Sequence, residues 1–116
     1  MTLLVRQRGK AVPLPAEAVV RIEGEGAYSR VITAEDSYLM CVTLKEWQER
    51  LPAFLRASKQ VLVNPAHVVR YDVEKPGRTY FGLLSLTDGS RVEVARRRVE
   101  TVRAGLSEFR KHRSNL

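Results

Sequence analysis

One cysteine and two histidines in 116 residues leave little material for covalent or metal chemistry. The single thiol, Cys41, excludes an internal disulfide and any cysteine-built metal cage, as expected of a chain kept in a reducing cytosol. Between Met40 and Val42 it reads as a small strand hydrophobe. His67 has no second ligand at metal spacing, so a local hydrogen bond is its expected role and no cofactor is expected. Aromatic residues are scarce too: one Trp, four Tyr and three Phe, most on faces expected to be core, which counts against a module that reads RNA by base stacking. No apolar run approaches the roughly 18 residues of a spanning helix, and the N-terminus lacks the apolar core of a signal peptide. A cytoplasmic chain with no membrane partner is the expectation.

What the chain has is positive charge. Twenty Lys and Arg stand against 13 Asp and Glu, a net charge of +7, with a pI near 10.1. Such an excess favours a polyanionic partner, nucleic acid above all. The charge is localised: residues 91 to 113 hold eight Lys or Arg and three Glu, five of the seven net charges. The length is that of one domain, 1–116, enough for a modest core but not for two independent ones.

The basic segment has an internal order. Asp88-Gly89 predicts a type I′ hairpin turn, Arg91 to Val94 alternate as a half-buried strand, and Val99, Val102, Leu106 and Phe109 recur at helical steps of three, four and three. Arg96, Arg97 and Arg98 therefore sit where a strand hands over to a helix. Successive side chains diverge by about 100° on a helix or about 180° on a strand, so at least two must face outward. A run of this kind is ordinarily solvated surface, yet the N-terminal end of a helix dipole disfavours cations. A local misfit of that sort points to a role outside the fold. The apolar stripe behind it is expected to dock on the domain's own sheet, a second copy of the chain being the alternative.

Upstream, residues 2 to 14 predict two short strands about Arg8-Gly9-Lys10, and Val19 to Ile22 a third. The Glu23-Gly24-Glu25-Gly26 segment reads as a hairpin connection, since its glutamates would repel phosphate. Tyr28, Arg30 and Ile32 then share one face of a strand, and Ser29, Val31 and Thr33 the other. Thr43-Leu44-Lys45-Glu46 is a capping box opening a short helix that buries Leu44, Trp47 and Leu51 and stops before Pro52. Phe54 to Gln60 shows no regular period and leads into the apolar run Val61 to Val63. Strands follow from Val68 to Val73 and from Tyr80 to Leu86. Eight or nine short strands with one internal and one terminal helix indicate a mainly β, antiparallel domain.

In this order the elements resemble the LytTR DNA-binding domain, the effector module at the end of many bacterial two-component response regulators. The matching pieces are VVRIEGEGAYSRVIT, TLKEWQERLP, FLRASKQVLVNPAHV and DGSRVEVARRRVETV, which together span residues 19 to 102. The run Arg56-Ala57-Ser58-Lys59-Gln60-Val61-Leu62-Val63-Asn64 is similar to the family's Arg-x-His-Arg-Ser-Tyr-Leu-Val-Asn pattern. Ser58, Gln60 and Val61 depart from it, as does Ala95, where the family commonly has Ser before the arginines. With no receiver domain in residues 1–116, the expectation is either an excised effector or a stand-alone regulator.

The resemblance implies an elongated fold of small antiparallel sheets that lays loops into successive major grooves. Carried over by position, Ser29, Arg30, Lys59 and Arg97 would reach bases, and Arg56, Ser58, Arg96 and Arg98 would touch phosphates. The implied partner is double-stranded DNA at promoter sites arranged as direct repeats, with a homodimer on the DNA as a further expectation, and the implied role is transcriptional control rather than catalysis. Three other readings stand beside it. A small basic RNA-binding module would use the same charge. A metal-dependent nuclease would need more than Asp72 and Glu74, which share one strand face without a surrounding cluster. A lipid-surface module would need a helix face richer in aromatics than one bearing Phe109 alone.

Overall fold

The computed structural model describes residues 1–114. Two strands, β1 (Thr2–Gln7) and β2 (Lys10–Pro15), form an antiparallel ribbon that turns Leu3, Val5 and Leu14 inward. Their connection is the two residues Arg8 and Gly9, both at positive φ, 52° and 78°. Two such residues make the type I′ geometry that matches strand twist. The turn expected at Asp88-Gly89 is different. Only Gly89 has positive φ there, 84°, and its N–H donates to the Leu86 carbonyl at 3.0 Å. That is a longer connection closed by a left-handed Gly, because a type I′ turn would need positive φ at Asp88 as well.

A five-stranded sheet forms the centre. It contains β3 (Val19–Glu25), β4 (Tyr28–Thr33), β5 (Ser37–Met40), β6 (Leu55–Arg56) and β7 (Val61–Val63), in the order β5-β4-β3-β7-β6 with antiparallel pairing throughout. The segment read as aperiodic thus contains β6, paired Leu55 to Val63 and Arg56 to Leu62. Two residues are too few to display a period. Helix α1 (Leu44–Arg50) crosses one face with its capping box intact: the Glu46 N–H donates to Thr43 Oγ1 at 3.2 Å, and the Thr43 N–H to Glu46 Oε1 at 3.5 Å. Under it, Ile22, Val31, Leu62 and Trp47 form a core with Val5 from the ribbon. Each such aliphatic side chain contributes roughly 1.5–3 kcal/mol on burial.

On the other side lies a three-stranded antiparallel sheet, β8 (Val68–Glu74), β9 (Phe81–Leu86) and β10 (Arg91–Val94), in the order β10-β9-β8. A single 3-10 turn, Arg96–Arg98, leads into α2 (Val99–Ser114). Val99, Val102 and Leu106 are buried, with Phe109 half-buried, so the helical stripe docks on this domain's own core beside Leu55, Val63, Leu84 and Val94. The described residues therefore form two apolar clusters, where one modest core was expected. They are not independent, because adjacent residues of the central strands, Val19 and Val20, Leu62 and Val63, feed one each. The layers extend 48 × 36 × 25 Å with a radius of gyration of 14.4 Å, larger than the ~13 Å of an evenly rounded chain of this length. The fold is mainly β and elongated: small antiparallel sheets, one short internal helix and a C-terminal helix.

Candidate nucleic-acid interface

Three chain segments meet where β3 ends and β4 and β7 begin. Glu23 pairs with Arg30 on one side and with Val61 on the other, so Arg30 lies two strand spacings, roughly 10 Å, from the start of β7. The Gly24 N–H donates to the Gln60 carbonyl at 2.7 Å, fastening β3 to the loop before β7. From the opposite layer the Ala95 N–H donates to the Ala57 carbonyl at 3.0 Å, fastening the arginine turn to the start of that loop. Arg21, Glu23, Ser58, Val61, Arg91 and Ala95 line a shared open cleft of about 380 Å³ at this junction.

Of the side chains singled out in the sequence, Ser58 lines this cleft. Lys59 is exposed at the loop tip, and Arg97 is exposed in the 3-10 turn. Arg96 is exposed and lies over the Tyr80 ring, 5.0 Å from its centroid, a contact worth about 0.5–1 kcal/mol at an exposed site. Arg98 is half-buried. The Ser58 hydroxyl accepts from the Gln60 N–H at 3.1 Å and retains its own proton for a further acceptor. Arg30 projects from the same sheet face as Glu23 and is partly neutralised by Glu25 at 3.7 Å.

Two of these residues are engaged within the fold. Ser29 is fully buried, and its Oγ accepts the Trp47 indole N–H at 2.7 Å. It cannot reach a base while it serves the core. Its place followed from strand alternation: Val31 belongs inside, so Ser29, two residues earlier, lies on that face too. Arg56, expected at a phosphate, turns back on its own loop. Its Nε donates to the Ser58 carbonyl at 2.6 Å, Nη2 to the Lys59 carbonyl at 2.7 Å and Nη1 to Gln48 Oε1 at 2.7 Å. Burial, and then the nearby Arg98 charge, lower its pKa from the ordinary arginine value. Gln48 and Tyr80 went unnoticed in the sequence, where nothing local ties them to Arg56 and Arg96.

The junction is clamped by a second arginine. Arg21 Nη1 donates to Asp88 Oδ2 at 3.1 Å and to Ser90 Oγ at 3.0 Å, and Nε donates to Glu23 Oε1 at 3.0 Å, linking the central sheet to the β9–β10 turn. Burial alone would push the Asp88 carboxyl up. Hydrogen bonds from the Ser90 hydroxyl and amide, together with the Arg21 charge, outweigh it and hold that carboxyl below the ordinary range. Two polar residues elsewhere are engaged within the fold. His67 donates from Nε2 to the Glu17 carbonyl at 2.7 Å, because a carbonyl only accepts, and its Nδ1 is hydrogen-bonded to the Thr87 hydroxyl at 2.6 Å. Asp72 is ion-paired with Arg70 at 2.7 Å. No helix among the described residues is long and apolar enough to cross a membrane.

No curated relative matches the chain. Its fold is similar to that of a solved LytTr DNA-binding domain from Bacillus cereus, described as that of a methyl-accepting/DNA response regulator. The TM-score is 0.75 and the identity 21%, over 90% of this chain and 95% of that one. The family model for the LytTr DNA-binding domain matches residues 9–107, a span that includes β2 and all three segments of the junction. The chain therefore belongs to the LytTr DNA-binding domain family.

Proposed function

We propose that this chain binds double-stranded DNA sequence-specifically at promoters, placing the junction loops in successive major grooves. Arg30, Lys59 and Arg97 reach base edges; Ser58, Arg96 and Arg98 hold phosphates. The observation that carries this reading is the backbone linkage of the three segments through Ala57 to Ala95 and Gly24 to Gln60. Loops tied to sheets present their cations with little conformational freedom left to lose on binding. Arg97 is the principal reader, since a guanidinium takes G O6 and N7 by two parallel hydrogen bonds. The sites are direct repeats, so that two copies of the chain follow one another along the duplex. Control of transcription follows from occupancy of such sites.

Selection of bound duplexes from a random pool tests partner, sequence and repeat spacing together. Enrichment of one motif is the expected result. Titrating the selected duplex with salt should give a log–log slope near −5 if about six phosphates are engaged. A slope near zero, or preference for single-stranded RNA over the duplex in competition, would overturn the reading.

A further inference from the structure

The loop between β6 and β7 has an unusual internal economy. Its four successive carbonyls, from Ala57 to Gln60, are all accepting: Ala57 from the Ala95 N–H at 3.0 Å, Ser58 and Lys59 from the Arg56 guanidinium at 2.6 and 2.7 Å, and Gln60 from the Gly24 N–H at 2.7 Å. The two middle ones belong to the peptide units on either side of the Lys59 Cα. A single side chain thus fixes both peptide planes that determine where Lys59 projects. That side chain is itself held from behind, because Gln48 of α1 accepts from Nη1 at 2.7 Å. Only a planar fork with several donors can grip two carbonyls and a side-chain amide at once.

We infer that Arg56 is a positioning residue, anchored by Gln48, that aims Lys59 at its base instead of neutralising a phosphate. The inference rests on the DNA reading above. Lysine is a flexible point charge on a four-carbon stem, so its base selectivity depends on how firmly its backbone is held. With the brace removed, Lys59 still attracts DNA but no longer discriminates.

Counterion release separates the two roles. A phosphate contact contributes about 0.9 to the salt slope, whereas a brace contributes nothing. The experiment compares wild type, Arg56→Ala, Arg56→Lys and Gln48→Leu on the duplex selected by wild type and on a scrambled duplex, across a salt series. Thermal melts confirm that each variant is folded at the assay temperature. The expected result for Arg56→Ala is an unchanged slope and a specific-to-scrambled affinity ratio lower by on the order of tenfold, the worth of one base contact. Arg56→Lys keeps the charge but loses the fork, and should behave like the alanine variant in specificity. Gln48→Leu, which leaves Arg56 in place, should show a smaller loss of the same kind and keeps the test standing if Arg56→Ala does not fold. A slope reduced by about one in Arg56→Ala and restored in Arg56→Lys would make Arg56 a phosphate contact and overturn the inference. An unchanged specificity ratio in folded Arg56→Ala and Gln48→Leu would overturn it as well. Failure of wild type itself to bind duplex DNA would instead strike the parent reading.

Discussion

Ser29 and Arg30 are neighbours on β4 with opposite roles, one inside against Trp47 and the other on the outer face beside Glu25. Alternation was enough to separate them, and position within the family pattern was not. Ser29→Ala should leave the selected DNA sequence unchanged and lower stability by about 1–3 kcal/mol in urea denaturation, because the buried Trp47 N–H loses its acceptor. A changed base preference would return Ser29 to the reading surface. The arginine triplet divides in the same way. Arg97 is exposed and makes no ion pair or side-chain hydrogen bond among the described residues, whereas Arg96 lies over Tyr80. In binding-site selection Arg97→Ala should relax one or two base positions, at about 1–3 kcal/mol of discrimination. Arg96→Ala should weaken all duplexes alike and reduce the salt slope by about one.

At the scale of elements, those governed by their own residues were readable in advance. The capping box set the start of α1, and the apolar spacing of Val99, Val102 and Leu106 set the buried face of α2. What holds α2 in place was not readable. The Tyr71 hydroxyl donates to the Val99 carbonyl at 3.1 Å, pinning the helix start and with it the arginine turn. The ring has room to do so only because residue 82 on β9 is glycine: a Cβ there would stand 2.6 Å from Tyr71 Cε1 and 2.7 Å from its hydroxyl oxygen. Gly82→Ala should therefore cost about 1–3 kcal/mol of stability in chemical denaturation, the scale of overpacking a filled site. A neutral result would mean that the ring moves freely and that the helix start does not depend on it. β6 marks the opposite limit, a strand of two residues that exists only because β7 offers a partner.

Across the whole molecule, the two apolar clusters are joined through the central sheet, and Arg21 of its middle strand is clamped to Asp88 of the β9–β10 turn. The Asp88 carboxyl is held below its ordinary value of 3.8, so its contribution to stability is present above that pH and is lost as the pH falls through the lower folded value. Asp88→Asn should be less stable than wild type at neutral pH, with the difference closing in acid denaturation below pH 3.8. A difference that persisted or widened in acid would mean the clamp does not depend on the carboxylate charge. By itself the sequence determined the strands with clear alternation, the capped helix, the buried stripe and the concentration of charge near the C-terminus, because each depends on residues a few positions apart. Only the tertiary structure decided that Ala57 meets Ala95, that Gly24 meets Gln60, and that Arg56 turns inward to Gln48. Those bonds join separate elements, and which groups meet is set by how the sheets and α1 pack, a relation no local pattern encodes.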